Sequence, residues 1–319
     1  MNRIVSLAAC GLLSLGLTAC SGGESGSADP AAATASPDAA VKSAAEALRQ
    51  NDVGQFVKLV LPEARYNEAK IKFETRDSSA DAGNDAEFEA MMAKLTAADA
   101  ETALMAELEP QIAQFEAEMA PQMPMMIGMG RGFAAQAIQQ NPDFNEDQKK
   151  QATEVVDAMA GWLSTVKVTD RGLAKQAISK AVSTARSLDL KTMEQVNALS
   201  FDDALAKAGI AFGGLKDVLA VYGMDINATL DSTTVEMVSE QGDAARVRVS
   251  YSLLGQAITT EQDMIRENDR WYGKDTMTAI ADALDNQSAS DTDTAEADDM
   301  GDETMEEPAA MEESETATE

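Results

Sequence analysis

From residue 38 onward, apolar positions recur every three or four residues, the period of a helix with one buried face. Pro37-Asp38 opens a helix that carries Val41, Ala44, Ala45 and Leu48 on one stripe. Asn51-Asp52-Val53-Gly54 breaks it, and an apolar run continues from Gln55 to Leu61 before Pro62. Residues 76–86 are polar and read as a loop. A long helical stretch runs from Ala86 to Met119, with Thr96-Ala97-Ala98-Asp99 as a break and cap. Its later part places Leu104, Leu108, Ile112, Phe115 and Met119 on one face. Residues 143–168 and 170–188 form two more helices, the second opened by Thr169-Asp170. Another runs from Phe201 to Tyr222 and is interrupted near Gly213-Gly214.

From Ala228 the period shortens to two. Val235 and Met237 alternate with polar neighbours, and Gln241-Gly242-Asp243 makes a hairpin turn. Ala245, Val247, Val249, Tyr251 and Leu253 then alternate with Arg246, Arg248, Ser250 and Ser252, so one face is buried and the other wet. Leu254-Gly255-Gln256 turns into a strand from Ala257 to Arg266, and Glu267-Asn268-Asp269 turns into Arg270-Trp271-Tyr272. The predicted class is α+β, predominantly helical: a helical N-terminal and central region over 38–200, then a helix plus an antiparallel β-meander over 201–277.

The first twenty residues follow another plan. Arg3 supplies a positive charge, Ile4 to Leu17 are apolar or small, and Leu17-Thr18-Ala19-Cys20 follows. Charge, apolar segment and small residues at a cut make a secretory signal. The apolar run is shorter than the roughly 20 residues needed to span a bilayer. The cysteine directly after Leu17-Thr18-Ala19 resembles the lipobox of bacterial lipoproteins. In that family the cysteine is diacylglycerated, the chain is cut before it, and the new amino group is acylated. The resemblance implies a signal peptide over 1–19, lipidation of Cys20, and a membrane anchor held by several acyl chains, enough for stable attachment. Ser21 rather than aspartate after the cysteine implies the outer membrane, with the domain facing the periplasm. Residues 20–37, rich in Gly, Ser, Ala and Pro, then read as the acylated cysteine and a flexible tether.

Net charge alters the list of partners. The chain carries −30, and every charged side chain from Asp285 to Glu319 is acidic. Residues 278–319 have no aromatic side chain and are expected to stay disordered, because they cannot bury enough apolar area to offset ordering entropy. A basic face for phosphates is missing, so nucleic acid is excluded as a partner. Cys10 and Cys20 are the two cysteines, so a mature domain from Cys20 has no disulfide and depends on core packing.

Residues 201–275, a helix leading into Ala244-Ala245-Arg246-Val247-Arg248-Val249 and a closing Glu267-Asn268-Asp269-Arg270-Trp271-Tyr272, resemble a cystatin-like or nuclear-transport-factor-2-like domain. That resemblance implies helices across a curved sheet and a cone-shaped pocket, and Ala40 to Leu61, with its Asn51-Asp52 break, also resembles that family's first helix. Enzymes of the fold place Asp, His or Tyr in the cone. This chain has no histidine, which removes the commonest general base and metal ligand. It also lacks a Gly-rich phosphate loop, a Gly-x-Ser-x-Gly elbow and a Cys-His pair.

The expectation is a non-catalytic lipoprotein with no cofactor and no metal. It is anchored to the membrane through acylated Cys20 and binds or scaffolds envelope proteins; the alternative is a carrier of a small apolar ligand or lipid in the cone. Met119, Met123, Met125, Met126 and Met129 cluster around two prolines. Thioethers can hold Cu(I), fill an irregular core or line a groove for a lipid or peptide. The prolines and glycines favour a packed bend. Trp162, Trp271 and Tyr272 are expected in the core.

Overall fold

A computed structural model describes residues 33–76, 85–142 and 144–279. Cys20, the signal segment, most of the tether and nearly all of the acidic tail lie outside the described residues.

Local chemistry sets the helix boundaries. Helix α1 (Pro37–Arg49) has Ser36 as N-cap, proline at its first position and Asp38 in its first turn. Asn51 ends it in the left-handed region at φ 61°. Asp52 caps α2 (Val53–Val60), its carboxylate accepting from the Gln55 N–H at 2.7 Å. Pro62 separates α2 from α3 (Glu63–Glu74). The long central stretch divides at residues 97–99, as expected, into α4 (Asp85–Thr96) and α5 (Ala100–Glu118). A short 3₁₀ turn over Ala120–Gln122 leads into α6 (Met123–Gln140). A reciprocal capping box of Asn145 and Gln148 starts α7 (Glu146–Thr165). Asp170 starts α8 (Arg171–Leu188), accepting from the N–H groups of Gly172 and Leu173; these bonds hold its carboxyl below the usual range. Helices α9 (Met193–Asn197), α10 (Phe201–Val221) and α11 (Ile226–Asp231) follow.

The meander follows in simple order: β1 (Thr234–Gln241), β2 (Ala244–Leu253), β3 (Gln256–Glu267) and β4 (Arg270–Gly273), all antiparallel neighbours. Its three connections are two-residue turns. Leu254-Gly255 and Asn268-Asp269 both have positive φ at both positions, as a type I′ turn requires. The β2 alternation is as expected: Val247 and Val249 are fully buried and Tyr251 is half-buried, while Arg246 and Arg248 face water. On the wet face, Arg246 pairs with Asp263 at 2.8 Å and Arg248 with Glu261 at 2.7 Å, directly across the strands.

The architecture is therefore α+β and predominantly helical, with the sheet following helices α1–α11 in the chain. Helices α1 and α7 both pack on the sheet. Ala40 and Val41 of α1 join Ala245, Val247, Val249, Met264 and Trp271 in one core cluster. Ala158 of α7 packs with Leu253 and Ile258 in another. Helix α10, which runs toward the sheet in sequence, packs instead against α8, α2 and α3.

Three further expectations are corrected. Helix α10 is not interrupted at Gly213-Gly214. A Cβ on Gly214 would lie 2.0 Å from the Thr184 hydroxyl of α8, and one on Gly209 would lie 2.3 Å from the Asn51 carbonyl. Those glycines let elements approach closely; they do not end the helix. The strand period begins at Thr234, because residues 226–231 are helical. Residues 33–37 are not tether. Ala33 and Thr34 are buried, Thr34 O accepts from the Trp271 N–H at 2.9 Å, and Thr34 Oγ1 accepts from Arg270 Nε at 2.8 Å.

Candidate functional site

The cone implied by the family resemblance would lie between α1 and the sheet. Ala40, Val41, Ala44, Phe56, Leu59, Met264 and Trp271 close around that space and leave about 30 Å³. Such a cavity holds about one water molecule. Trp271 and Tyr272 are buried there as core, as expected. The void is small because the β2 residues facing α1 are valines and alanines in close contact with it, and Trp271 fills the end of the sheet.

A larger concave surface lies elsewhere. An open groove of about 680 Å³ runs between the C-terminal half of α7, the start of α8, the turn after α10 and the β2–β3 hairpin. Its walls include Trp162, Val166, Leu173, Tyr222 and Leu254, with Asp157 and Lys167 among the polar lining. Trp162 was expected in the core; it is half-buried and lines this groove. Its indole N–H donates to the Tyr222 carbonyl at 2.9 Å and fixes the ring against the end of α10. Burial, then the nearby Asp170 charge, raises the Tyr222 hydroxyl pKa. The groove is open, mixed in polarity and has a rigid aromatic side chain. That chemistry suits contact with an extended or irregular polypeptide surface better than enclosure of a small ligand.

Two polar clusters were not anticipated. Lys216 on α10 is 4% exposed. Its Nζ donates to the carbonyls of Leu48 and Arg49 at 2.9 and 3.0 Å, and to Asn227 Oδ1 at 2.6 Å. All three ammonium protons are thereby directed to acceptors, two of them at the C-terminus of α1, where a cation is favoured. Burial lowers its pKa, and the Arg49 charge adds to the effect. Tyr66 on α3 donates to Asp202 at 2.8 Å, and Lys70 donates to the other oxygen of that carboxylate at 2.8 Å. Burial, then the hydrogen bond to Asp202, pushes the Tyr66 pKa up to about 12. Both clusters join α10 to the N-terminal helices. A lysine within Phe212-Gly213-Gly214-Leu215-Lys216 carries no sequence signal of this role, since two of its three acceptors are backbone carbonyls remote in sequence.

Among the described residues, no group of three or more His, Cys, Asp or Glu side chains is arranged to hold a metal ion, and no helix is long and apolar enough to cross a membrane. Met119 and Met123 flank the 3₁₀ turn, so the bend is confined to residues 120–122. The methionines that follow continue into regular helix, and Met125, Met126 and Met129 are exposed there rather than packed as core.

No protein-family model, no curated protein and no solved structure matches the chain.

Proposed function

We propose that this chain is a lipoprotein, anchored through acylated Cys20 to the periplasmic side of the bacterial outer membrane, whose folded part serves as a non-catalytic partner-binding module of the envelope. The observation that carries the binding half of this reading is where the free volume lies. About 30 Å³ remains between α1 and the sheet, whereas about 680 Å³ opens at the surface around Trp162. A carrier of an apolar ligand needs an enclosed space of at least about 300 Å³. Support for the cystatin-like or nuclear-transport-factor-2-like resemblance comes from α1 lying across a four-stranded antiparallel meander. The lipobox residues Leu17-Thr18-Ala19-Cys20 carry the anchoring half.

The two halves are tested separately. With the lipoprotein signal-peptidase inhibitor globomycin, the full-length precursor should accumulate, and Cys20→Ala should leave the membrane fraction. A Cys20→Ala protein that still sediments with outer membranes would refute the anchor. For the binding half, a photo-crosslinking residue at exposed Thr165, in the groove, should yield a discrete adduct in intact cells, and one at Ser187 on α8 should not. Equal labelling from both positions would remove the groove as the binding surface.

A further inference from the structure

Helix α6 has an unusual distribution of apolar side chains. Met123, Ile127, Ala134 and Ile138 repeat at helical spacing on the side where it packs on α7, and Ile138 is buried. Met125, Met129 and Phe133 repeat at spacing four on the opposite side, with Met126 beside them. Met125 is 60% exposed and Phe133 is 70% exposed. A helix that is apolar on opposite sides is ordinarily covered on both. Three glycines, Gly128, Gly130 and Gly132, lie in the same helix, and a Cβ at any of them would meet nothing within 4 Å. Each weakens the helix by about 1 kcal/mol relative to alanine, so packing must supply what propensity does not.

Charge identifies the occupant. From Met119 to Pro142 there is no Asp or Glu, in a chain with 55 of them. The acids resume at both ends: Glu118 before the helix, and after it Asp143 in sequence and then exposed Glu146 and Asp147 at the start of α7, where Lys149 pairs with Glu146 at 3.3 Å and leaves Asp147 as the exposed carboxylate. The result is an uncharged apolar stripe bracketed by carboxylates on a molecule of charge −30. Arg131, the cation of this stretch, is paired with Asp157 at 2.7 Å. An anionic lipid surface or a second copy of this chain would press like charge against these ends. A helix with an apolar face and lysines or arginines near its ends would match both features. Methionine side chains adapt to such a helix because they are flexible and polarizable.

We propose that the outer face of α6, formed by Met125, Met126, Met129 and Phe133, is a docking surface for a cationic amphipathic helix of a partner protein. The proposal goes beyond the partner-binding reading above, because it concerns a different face of the molecule from the Trp162 groove. It can fail alone, because its assay requires neither the membrane anchor nor the Trp162 groove.

The test uses the chain from residue 20 to 319 with Cys20→Ser, which retains every described residue. The probe is a synthetic amphipathic helical peptide of leucine and lysine, with a leucine–glutamate peptide of the same pattern as control. The lysine peptide should bind, and binding should weaken as salt rises. The combined variant Met125→Gln, Met126→Gln, Met129→Gln and Phe133→Gln should lose about tenfold or more in affinity, a change typical of removed interface anchors. Exposed-site controls Ile71→Gln and Leu215→Gln should bind as the parent does. Independently of any variant, carbon-13-labelled methionine methyl signals of Met125, Met126 and Met129 should shift on peptide addition, and those of buried Met92 and Met264 should not. Unchanged affinity in the combined variant, equal binding of the glutamate peptide, or methyl shifts confined to other methionines would each overturn the proposal. So would a stripe-dependent dimer in sedimentation, or stripe-dependent binding to phosphatidylglycerol vesicles, because each names a different occupant.

Discussion

Lys216 and Arg248 are both cations, and their surroundings give them very different weights. Lys216 is buried and donates three hydrogen bonds, two to carbonyls at the end of α1. Arg248 lies on the wet face of β2 and pairs with Glu261 in solvent. Lys216→Met keeps most of the side-chain volume but leaves those acceptors without a donor. Its expected cost is about 1–3 kcal/mol, the range for a buried polar group deprived of its partner. Arg248→Gln should cost no more than about 1 kcal/mol, the range for exposed ion pairs. Thermal unfolding followed by circular dichroism measures both, with a drop of several degrees expected for Lys216→Met alone. Equal midpoints for the two variants would show that the Lys216 cluster does not hold α10 to α1.

At the scale of elements, glycine has opposite meanings in α10 and α6. The α10 glycines sit where another chain segment leaves no room for a methyl group, whereas Gly128 and Gly132 of α6 face open space. Gly209→Ala should therefore destabilise by about 1–3 kcal/mol, because the Asn51 backbone must move. Gly128→Ala and Gly132→Ala should each stabilise the free protein by up to about 1 kcal/mol through helix propensity. Denaturant midpoints at constant slope read out all three changes. Stabilisation by Gly209→Ala would mean that the contact between α10 and the turn at Asn51 is looser than described. In sequence both kinds of glycine look like helix breakers, and the reading of α10 as interrupted failed for that reason. The α4–α5 boundary was legible because Ala97-Ala98-Asp99 supplies a break and a cap position within the local sequence.

For the molecule as a whole, its tyrosines are the handle. Tyr66, Tyr222, Tyr251 and Tyr272 account for all four tyrosines of the chain, and each has a raised pKa with burial as the first cause. In the unfolded chain they titrate near pH 10. A group whose folded pKa lies above its unfolded value contributes stability fully present below the unfolded value. That contribution is lost as pH rises through the folded value. Stability should therefore fall as pH rises from about 10 toward 12, where Tyr66 titrates. Tyrosinate absorbance at equilibrium should rise at higher pH in the native protein than in guanidinium chloride. Superimposed native and denatured curves would contradict the buried positions of these rings. With no histidine in the chain, no imidazole titration alters stability between pH 5 and 8.

The sequence by itself did not mark α3, α6, α9 or α11 as helices, but it determined the α+β class, the helices α1, α2, α4, α5, α7, α8 and α10, the meander and the two faces of β2. These are local properties: caps, turn residues and a period of either 3.6 or two. It also supplied Leu17-Thr18-Ala19-Cys20, a linear segment that resembles a lipobox and carries the proposed anchor. Tertiary structure decided what local pattern cannot encode. α1 covers a sheet that begins almost 200 residues later, because its Ala40–Val41 stripe meets the valines of β2. Thr34 belongs to the fold because β4 binds it, although its neighbours read as linker. The space between α1 and the sheet is filled, the open groove forms around Trp162, and the Met125–Phe133 stripe faces outward. Each is a consequence of which surfaces meet, and amphipathic periodicity marks a surface as apolar without naming what covers it.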